Sequence, residues 1–124
     1  MKKALVVEDN LLIAVIYRQY LKRLNLEIIA EVKTGEKAVE ILKKKKVDLI
    51  IMDIMLEGKI DGIDAMKHIR EFSQIPVIFA SSNSDELHFN KAALISNSLF
   101  LVKPVTEEAF SNAVRQTGEM QNIV

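Results

Sequence analysis

The chain has 124 residues, of which 49% are apolar and 27% charged, and it contains no cysteine. This length predicts one domain, residues 1–124, with a core large enough to need no disulfide or metal support. The lack of cysteine excludes disulfides, thiolate metal sites and cysteine nucleophiles. Seventeen basic residues balance seventeen acidic ones, and this neutrality argues against nucleic acid as the main partner.

The chain also lacks the signals of export and membrane insertion. Its first apolar run, residues 4–7, is too short for a signal peptide, and no apolar stretch approaches the length of a membrane span. We therefore expect a cytoplasmic protein with no membrane partner. No repeat, linker or composition shift indicates a second, effector domain.

Short continuous apolar runs alternate with stretches whose apolar residues recur at helical spacing. The runs predict buried strands at residues 4–7, 28–32, 49–52, 77–80 and 99–102. The apolar stripes of the helices that follow are Ile13, Ile16, Tyr17, Tyr20, Leu21 and Leu24, then Ala38, Ile41 and Leu42, then Ile63, Met66 and Ile69, and last Phe110, Ala113 and Val114. The fourth helix is expected over about residues 86–95, with apolar residues around more than one face. This alternation predicts an α/β fold, with a five-stranded parallel sheet and five helices on its two faces.

Several polar residues and one glycine predict where the helices begin and end. Thr34 is suited to cap the second helix, Ser84-Asp85 the fourth, and Thr106 to begin the fifth. Gly118 is expected to end the fifth helix, because glycine commonly follows a helix C-terminus.

Polar side chains stand at the carboxyl ends of the predicted strands, namely Glu8, Asp9, Asp53, Ser81 and Lys103. Each has an ordinary explanation by itself. Asp9 and Asn10 can cap the first helix, Ser81 or Ser84 the fourth, and Lys103 can be a solvated loop charge. The carboxyl ends of parallel strands, however, meet at one edge of the sheet, where ligands bind. We therefore expect these side chains to form one pocket.

The chemistry of such a pocket favours a divalent cation and a phosphoryl group. Carboxylates forced together raise one another's pKa values unless a cation offsets the repulsion. Mg²⁺, or Mn²⁺ in its place, takes oxygen ligands and prefers only one or two direct carboxylates. Phosphoryl transfer requires positioning and neutralised oxygen charge. The cation and Lys103 supply the neutralisation, Ser81 a hydrogen bond, and a carboxylate the nucleophile.

At these spacings Glu8-Asp9, Asp53, Ser81 and Lys103-Pro104 resemble the receiver domain of two-component response regulators, of the stand-alone, chemotaxis-regulator-like type. The resemblance covers the whole chain. It implies a flavodoxin-like, doubly wound sheet of strand order 2-1-3-4-5. It also implies that Asp53 takes a phosphoryl group from a phosphohistidine on a sensor kinase or histidine phosphotransfer protein.

The resemblance assigns a metal site to the acidic residues. Asp9 and Asp53 are implied as direct Mg²⁺ ligands, and Glu8 as a ligand acting mostly through water. The backbone carbonyl of Met55, two residues beyond the acceptor, matches the third protein ligand of the family.

The resemblance also assigns the remaining roles. Ser81 is implied as the switch hydroxyl, Phe100 as the switch aromatic, and Lys103 as the ligand of the phosphoryl oxygens. The peptide bond before Pro104 is cis in the family. The chain departs from the commonest pattern at Glu57, which replaces a proline, at Ser82, which replaces an alanine, at Gly62, nine residues beyond Asp53 instead of eight, and at Ser96-Asn97, which replaces Gly-Ala. Met55 and Asn83 stand where the family tunes the lifetime of the phosphoryl group.

Other functions on a similar sheet fit the residues less well. A phosphatase of the haloacid-dehalogenase type needs a second aspartate where Met55 stands. A flavodoxin-like electron carrier needs a hydroxyl- and glycine-rich loop where residues 8–11 are acidic. A binding module that keeps only the fold has no need of the acidic pair, the acceptor and the lysine.

For a receiver, the expected protein is not a conventional enzyme, since it catalyses only its own phosphorylation and dephosphorylation. A downstream protein target is expected on the face formed by residues 84–118, on a monomer or a phosphorylation-dependent dimer.

Overall fold

A computed structural model of the protein describes residues 2–82 and 86–122, without the side chains of residues 119–122. Strands and helices alternate through this part of the chain. The strands are β1 (Lys3–Val7), β2 (Glu27–Val32), β3 (Leu49–Asp53), β4 (Val77–Ser81) and β5 (Ser98–Val102). The helices are α1 (Leu11–Arg23), α2 (Gly35–Lys44), α3 (Gly62–Ile69), α4 (Glu86–Ala93) and α5 (Glu107–Asn122).

The five strands form one parallel sheet of order β2-β1-β3-β4-β5. This confirms the doubly wound, flavodoxin-like topology with strand order 2-1-3-4-5. The register places Asp53 beside Ala80 and Ser81 beside Val102. The carboxyl ends of β1, β3, β4 and β5 therefore lie at the same edge, as the strand-end argument requires.

Two apolar layers cover the sheet. Alternate strand residues point to opposite faces, so Leu5 and Ile50 join one layer while Val6 and Ile51 join the other. The first layer contains buried residues of α2, α3 and α4, and the second contains buried residues of α1 and α5. This double cover explains why the strand sequences are apolar throughout. None of the described helices is both long and apolar enough to cross a bilayer.

Side-chain oxygens cap α2, α3 and α5, where the sequence offers suitable residues. Thr34 Oγ1 accepts from Lys37 N at 3.2 Å, and Thr106 Oγ1 accepts from Ala109 N at 3.1 Å, which confirms both predicted starts. Asp61 caps α3 by accepting from Asp64 N at 2.8 Å, an unpredicted capping box. The predicted cap Ser84-Asp85 lies outside the described residues.

Two predicted helix ends are wrong. The α5 helix continues through Gly118 to Asn122, because Gly118 keeps a right-handed helical backbone and so does not terminate the helix. The α4 helix ends at Ala93 instead of Ile95. Asn97 then takes a positive φ of 52°, a conformation that asparagine tolerates better than most residues. Asn97 thus serves at the turn where the family pattern has a small residue.

Candidate functional site

The three carboxylates of the predicted site lie together at the end of β1 and β3. Glu8 and Asp53 are 3% and 5% exposed, whereas Asp9 is half-buried. One oxygen from each residue falls within 4.8 Å of the other two. Adjacent pairing of β1 with β3 produces this proximity, since Val7 lies beside Met52 and the acids follow directly.

The path of the backbone after β1 makes Asn10 the cap of α1 and leaves the two acids before it out of the cap. Asn10, not Asp9, caps α1: its Oδ1 accepts from Leu12 N at 3.0 Å and from Ile13 N at 3.2 Å. Asn10 N in turn donates to Glu8 Oε2 at 3.2 Å. The capping explanation is therefore wrong for Asp9, and its carboxylate is available to the site.

Lys103 brings the counter-charge to the same pocket. Its backbone N donates to Ser81 O at 2.8 Å, which continues the β4–β5 pairing beyond β5. Its Nζ lies 2.8 Å from Glu8 Oε1 and 3.1 Å from Asp53 Oδ2, and the side chain is 13% exposed. The explanation of Lys103 as a solvated loop charge is therefore wrong. The Lys103–Pro104 peptide bond is cis, as the resemblance implies.

Burial and the neighbouring charges both shift the pKa values of the two partners of this ion pair, Glu8 and Lys103. Burial raises the pKa of Glu8, Lys103 lowers it, and the neighbouring Asp53 raises it again, so the net direction is upward. Burial lowers the pKa of Lys103, but the hydrogen bond and charge of Glu8 and the charge of Asp53 outweigh that effect and raise it. The pocket thus favours a charged ammonium and disfavours one more negative charge.

The donor set fits a hard divalent cation. One oxygen of each acid lies within 4.8 Å of the other two, close enough for all three to surround one ion. Oxygen atoms are the ligands that Mg²⁺ binds. Glu8 Oε1 is buried and accepts a charge-assisted hydrogen bond from Lys103 Nζ at 2.8 Å, which compensates its charge. Met55 N donates to Asp53 Oδ1 at 3.3 Å, which places the Met55 backbone beside the acceptor. Its carbonyl stays a predicted ligand.

The backbone of Gly62 packs closely against the backbone of Asp53. Its N donates to Ile54 O at 2.8 Å, while Ile54 N donates to Ala80 O at 3.2 Å. A Cβ on Gly62 would collide with the Asp53 carbonyl oxygen and would lie 2.8 Å from Met52 Cγ. Sequence reasoning noted this glycine only for its spacing. The available signal was its position directly after the α3 cap, where a helix meets the end of a buried strand.

The two predicted switch residues lie on the neighbouring strands. Ser81 is fully buried at the end of β4, one residue beyond Ala80, the partner of Asp53. Phe100 on β5 is partly buried, and its ring meets Phe89 of α4 edge-on, with centroids 5.4 Å apart. The structure brings Ser81 to the acidic edge and joins Phe100 to an exposed aromatic of α4. Their switching roles stay predictions.

The doubly wound sheet and its acidic edge define the class of this protein. Residues 4–115 match the sequence profile of the response regulator receiver domain. The chain therefore belongs to the receiver domains of two-component response regulators, and the resemblance stated from its motifs is confirmed.

Similar proteins agree with this family. The chain is 33% identical to the uncharacterized transcriptional regulatory protein YrkP of Bacillus subtilis, over 86% of this chain and 45% of YrkP. It thus spans less than half of that relative. It is 28% identical to the chemotaxis protein CheY of B. subtilis, over 93% of this chain and 96% of CheY. The Saccharomyces cerevisiae Ssk1 receiver, crystallised with the histidine phosphotransfer protein Ypd1, superposes with a TM-score of 0.86 and 27% identity, over 99% of this chain and 92% of that one.

Proposed function

We propose that this receiver accepts a phosphoryl group on Asp53 from a phosphohistidine, with Mg²⁺ or Mn²⁺, and changes its protein contacts as a result. The observation that carries the proposal is the position of Lys103 Nζ, 3.1 Å from Asp53 Oδ2 in a buried pocket of three carboxylates. A buried ion pair contributes little to stability, because desolvating its charges costs free energy. Its position therefore suits phosphoryl transfer better than a purely structural role.

The transfer is a substitution at phosphorus. An Asp53 carboxylate oxygen forms the new P–O bond while the P–N bond to the donor imidazole breaks. The imidazole nitrogen keeps the electron pair and takes up a proton, and the phosphoryl charge passes to this chain. Lys103 neutralises the phosphoryl oxygens, and we propose that the Ser81 hydroxyl donates a hydrogen bond to one of them after transfer.

The chain's own groups would hold the cation in a defined way. Receiver domains bind Mg²⁺ in the acidic pocket, and here Asp9, Asp53 and the Met55 carbonyl are the direct ligands that we propose. Glu8 would act through water, since its buried Oε2 accepts from Asn10 N. When bound, the cation supplies charge neutralisation for the transferred oxygens. We propose no free substrate: the protein catalyses only its own phosphorylation and dephosphorylation.

The donor that we propose is a sensor kinase or a histidine phosphotransfer protein. The Ssk1 receiver, which shares this fold, was crystallised with such a phosphotransfer protein, and that pairing supports the proposal. We therefore propose that the receiver works in the cytoplasm.

The downstream contact that we propose uses part of the face formed by residues 84–118. Exposed apolar side chains there are Leu87, Phe89, Leu94 and Val102. Phe89 touches Phe100, so movement of Phe100 would alter this surface directly. We expect this receiver domain to be monomeric, or dimeric only when phosphorylated, and size-exclusion chromatography with and without phosphodonor tests this.

The test of the phosphoacceptor is incubation with Mg²⁺ and acetyl phosphate, followed by intact-protein mass spectrometry. We expect one phosphoryl adduct in the wild type and none in Asp53→Asn. Asp48→Asn is the matched control, because Asp48 precedes the opposite end of β3 and bonds to Lys3 N at 2.8 Å. Failure of the wild type to gain an adduct, with an active donor, refutes the proposal.

A further inference from the structure

Tyr17 carries a buried hydroxyl that the apolar core does not explain. The residue is 3% exposed on α1, and its ring stacks on Phe110 with centroids 5.4 Å apart. Its hydroxyl has no hydrogen-bond partner among the residues that the structure describes. A buried hydroxyl without a partner is costly compared with a phenylalanine of the same shape. The ring therefore has a structural role, whereas the hydroxyl does not.

The hydroxyl belongs to the surroundings of the acidic pocket. Tyr17 and Lys103 line the same cavity of about 410 Å³, together with Tyr20, Ser82 and Val105. In addition to burial, the charges of Glu8 and Asp53 raise the pKa of Tyr17. The phenol thus stays protonated and can only act as a donor toward the carboxylates. Tyr20, on the same cavity, differs because its hydroxyl donates to Val105 O at 3.1 Å.

A second buried atom in the pocket depends on Lys103. Glu8 Oε1 accepts a charge-assisted hydrogen bond from Lys103 Nζ, 2.8 Å away, and this contact compensates its charge. If Lys103 turns to a phosphoryl group on Asp53, Glu8 loses that compensation. A buried carboxylate without a partner is strongly unfavourable. The Tyr17 hydroxyl is a donor without an acceptor, and Glu8 Oε1 would become an acceptor without its cation. Each can therefore supply what the other lacks.

We propose that Tyr17 is a positioning residue of the phosphorylated state, whose hydroxyl donates to Glu8 Oε1, directly or through one water, once Lys103 has turned to the phosphoryl oxygens. This rests on the function proposed above. It makes the Tyr17 hydroxyl dispensable at rest and useful after phosphorylation. The geometry thereby links α1 to the state of Asp53.

The test compares Tyr17→Phe with Tyr20→Phe at saturating Mg²⁺. Beryllium trifluoride, which mimics a phosphoryl group on a carboxylate, is titrated and its bound form followed by fluorine NMR. We expect the Kd for the mimic to rise about tenfold in Tyr17→Phe, as for the loss of a hydrogen bond to a charged group, and less than twofold in Tyr20→Phe. In metal-free buffer the melting temperature of Tyr17→Phe should equal or exceed that of the wild type, whereas that of Tyr20→Phe should fall.

A double-mutant cycle identifies the acceptor. In a Glu8→Gln background, Tyr17→Phe should change the Kd by less than twofold, because the charged partner is gone. Wild-type affinity in Tyr17→Phe, or an undiminished effect in the Glu8→Gln background, overturns the inference while leaving the phosphoacceptor assignment intact. A wild type that gains no phosphoryl adduct and binds no mimic overturns both.

Discussion

Replacing Gly62 by alanine tests whether the backbone behind Asp53 is as tightly constrained as the structure indicates. The added Cβ would overlap the Asp53 carbonyl oxygen and lie 2.8 Å from Met52 Cγ and 3.0 Å from the Asp53 carbonyl carbon. Two of these three atoms are backbone, so the strain cannot be relieved by rotating a side chain. Either the end of β3 or the start of α3 has to move.

The magnitude follows from two opposing effects. Overpacking a well-packed site costs about 1–3 kcal/mol, and alanine regains at most about 1 kcal/mol of helix propensity over glycine. That gain is reduced here because Gly62 is the first residue of α3. We expect a net loss of about 1–2 kcal/mol, which for a domain of this size lowers the melting temperature by roughly 4–8 °C. Displacement of Asp53 should also slow phosphorylation by about tenfold or more.

Gly118→Ala is the matched control for this experiment. It makes the same substitution within a helix, but outside that helix's own backbone the nearest atom to the added Cβ is Lys2 Nζ at 4.0 Å. Without a collision, alanine should stabilise the protein by about 0.4–1 kcal/mol. Urea denaturation measures both variants, and an acetyl phosphate time course measures the effect on Asp53. Stability of Gly62→Ala equal to or above that of the wild type would refute the steric argument.

Three further predictions concern the charges of the pocket. Lys103→Met should slow adduct formation from acetyl phosphate on the order of a hundredfold, by analogy with the loss of a transition-state donor, and a rate within threefold of wild type contradicts this. Because the folded state raises the pKa of Lys103 above 10.5, the stability that it contributes is present below that pH and is lost as pH rises through the raised pKa. Urea denaturation from pH 9 to 11.5 should show the wild type's stability advantage over Lys103→Met shrinking, and a constant difference speaks against it. Asp9→Ala should weaken Mg²⁺ binding at least tenfold by isothermal titration calorimetry, whereas Asp48→Asn should leave it unchanged.

The strand-end argument could predict the site because a parallel sheet couples position in sequence to position in space. Each apolar run ends at the same edge, so a polar residue directly after a run has few other places to lie. Asp53 and Lys103 meet for this reason, although they are far apart in the chain. The fold was predictable on the same basis, since strands covered on both faces must be apolar throughout.

Details that depend on local backbone direction could not be read from residue type. Asp9 and Asn10 are equally good caps by composition, and only the path of the chain after β1 makes Asn10 the cap. Gly118 was expected to end α5, but a glycine terminates a helix only when the chain turns into the left-handed region there. The stripe on α1 correctly predicted Tyr17 as inward, yet periodicity cannot show that its hydroxyl is unpartnered.

The formal charges in the pocket indicate that Lys103 alone does not neutralise it enough for Asp53 to accept an anionic phosphoryl group. Three ionised carboxylates and one ammonium leave a formal charge of −2, and an incoming phosphoryl group is also anionic. A divalent cation brings the pocket to neutrality, so we expect transfer to require the cation first. Glu8 is only 3% exposed, so it stays in the buried part of the pocket whatever happens at Asp53. If Asp53 takes the phosphoryl group as proposed, we expect the Lys103 ammonium to turn to the phosphoryl oxygens, and Glu8 then needs the donor that Tyr17 can supply.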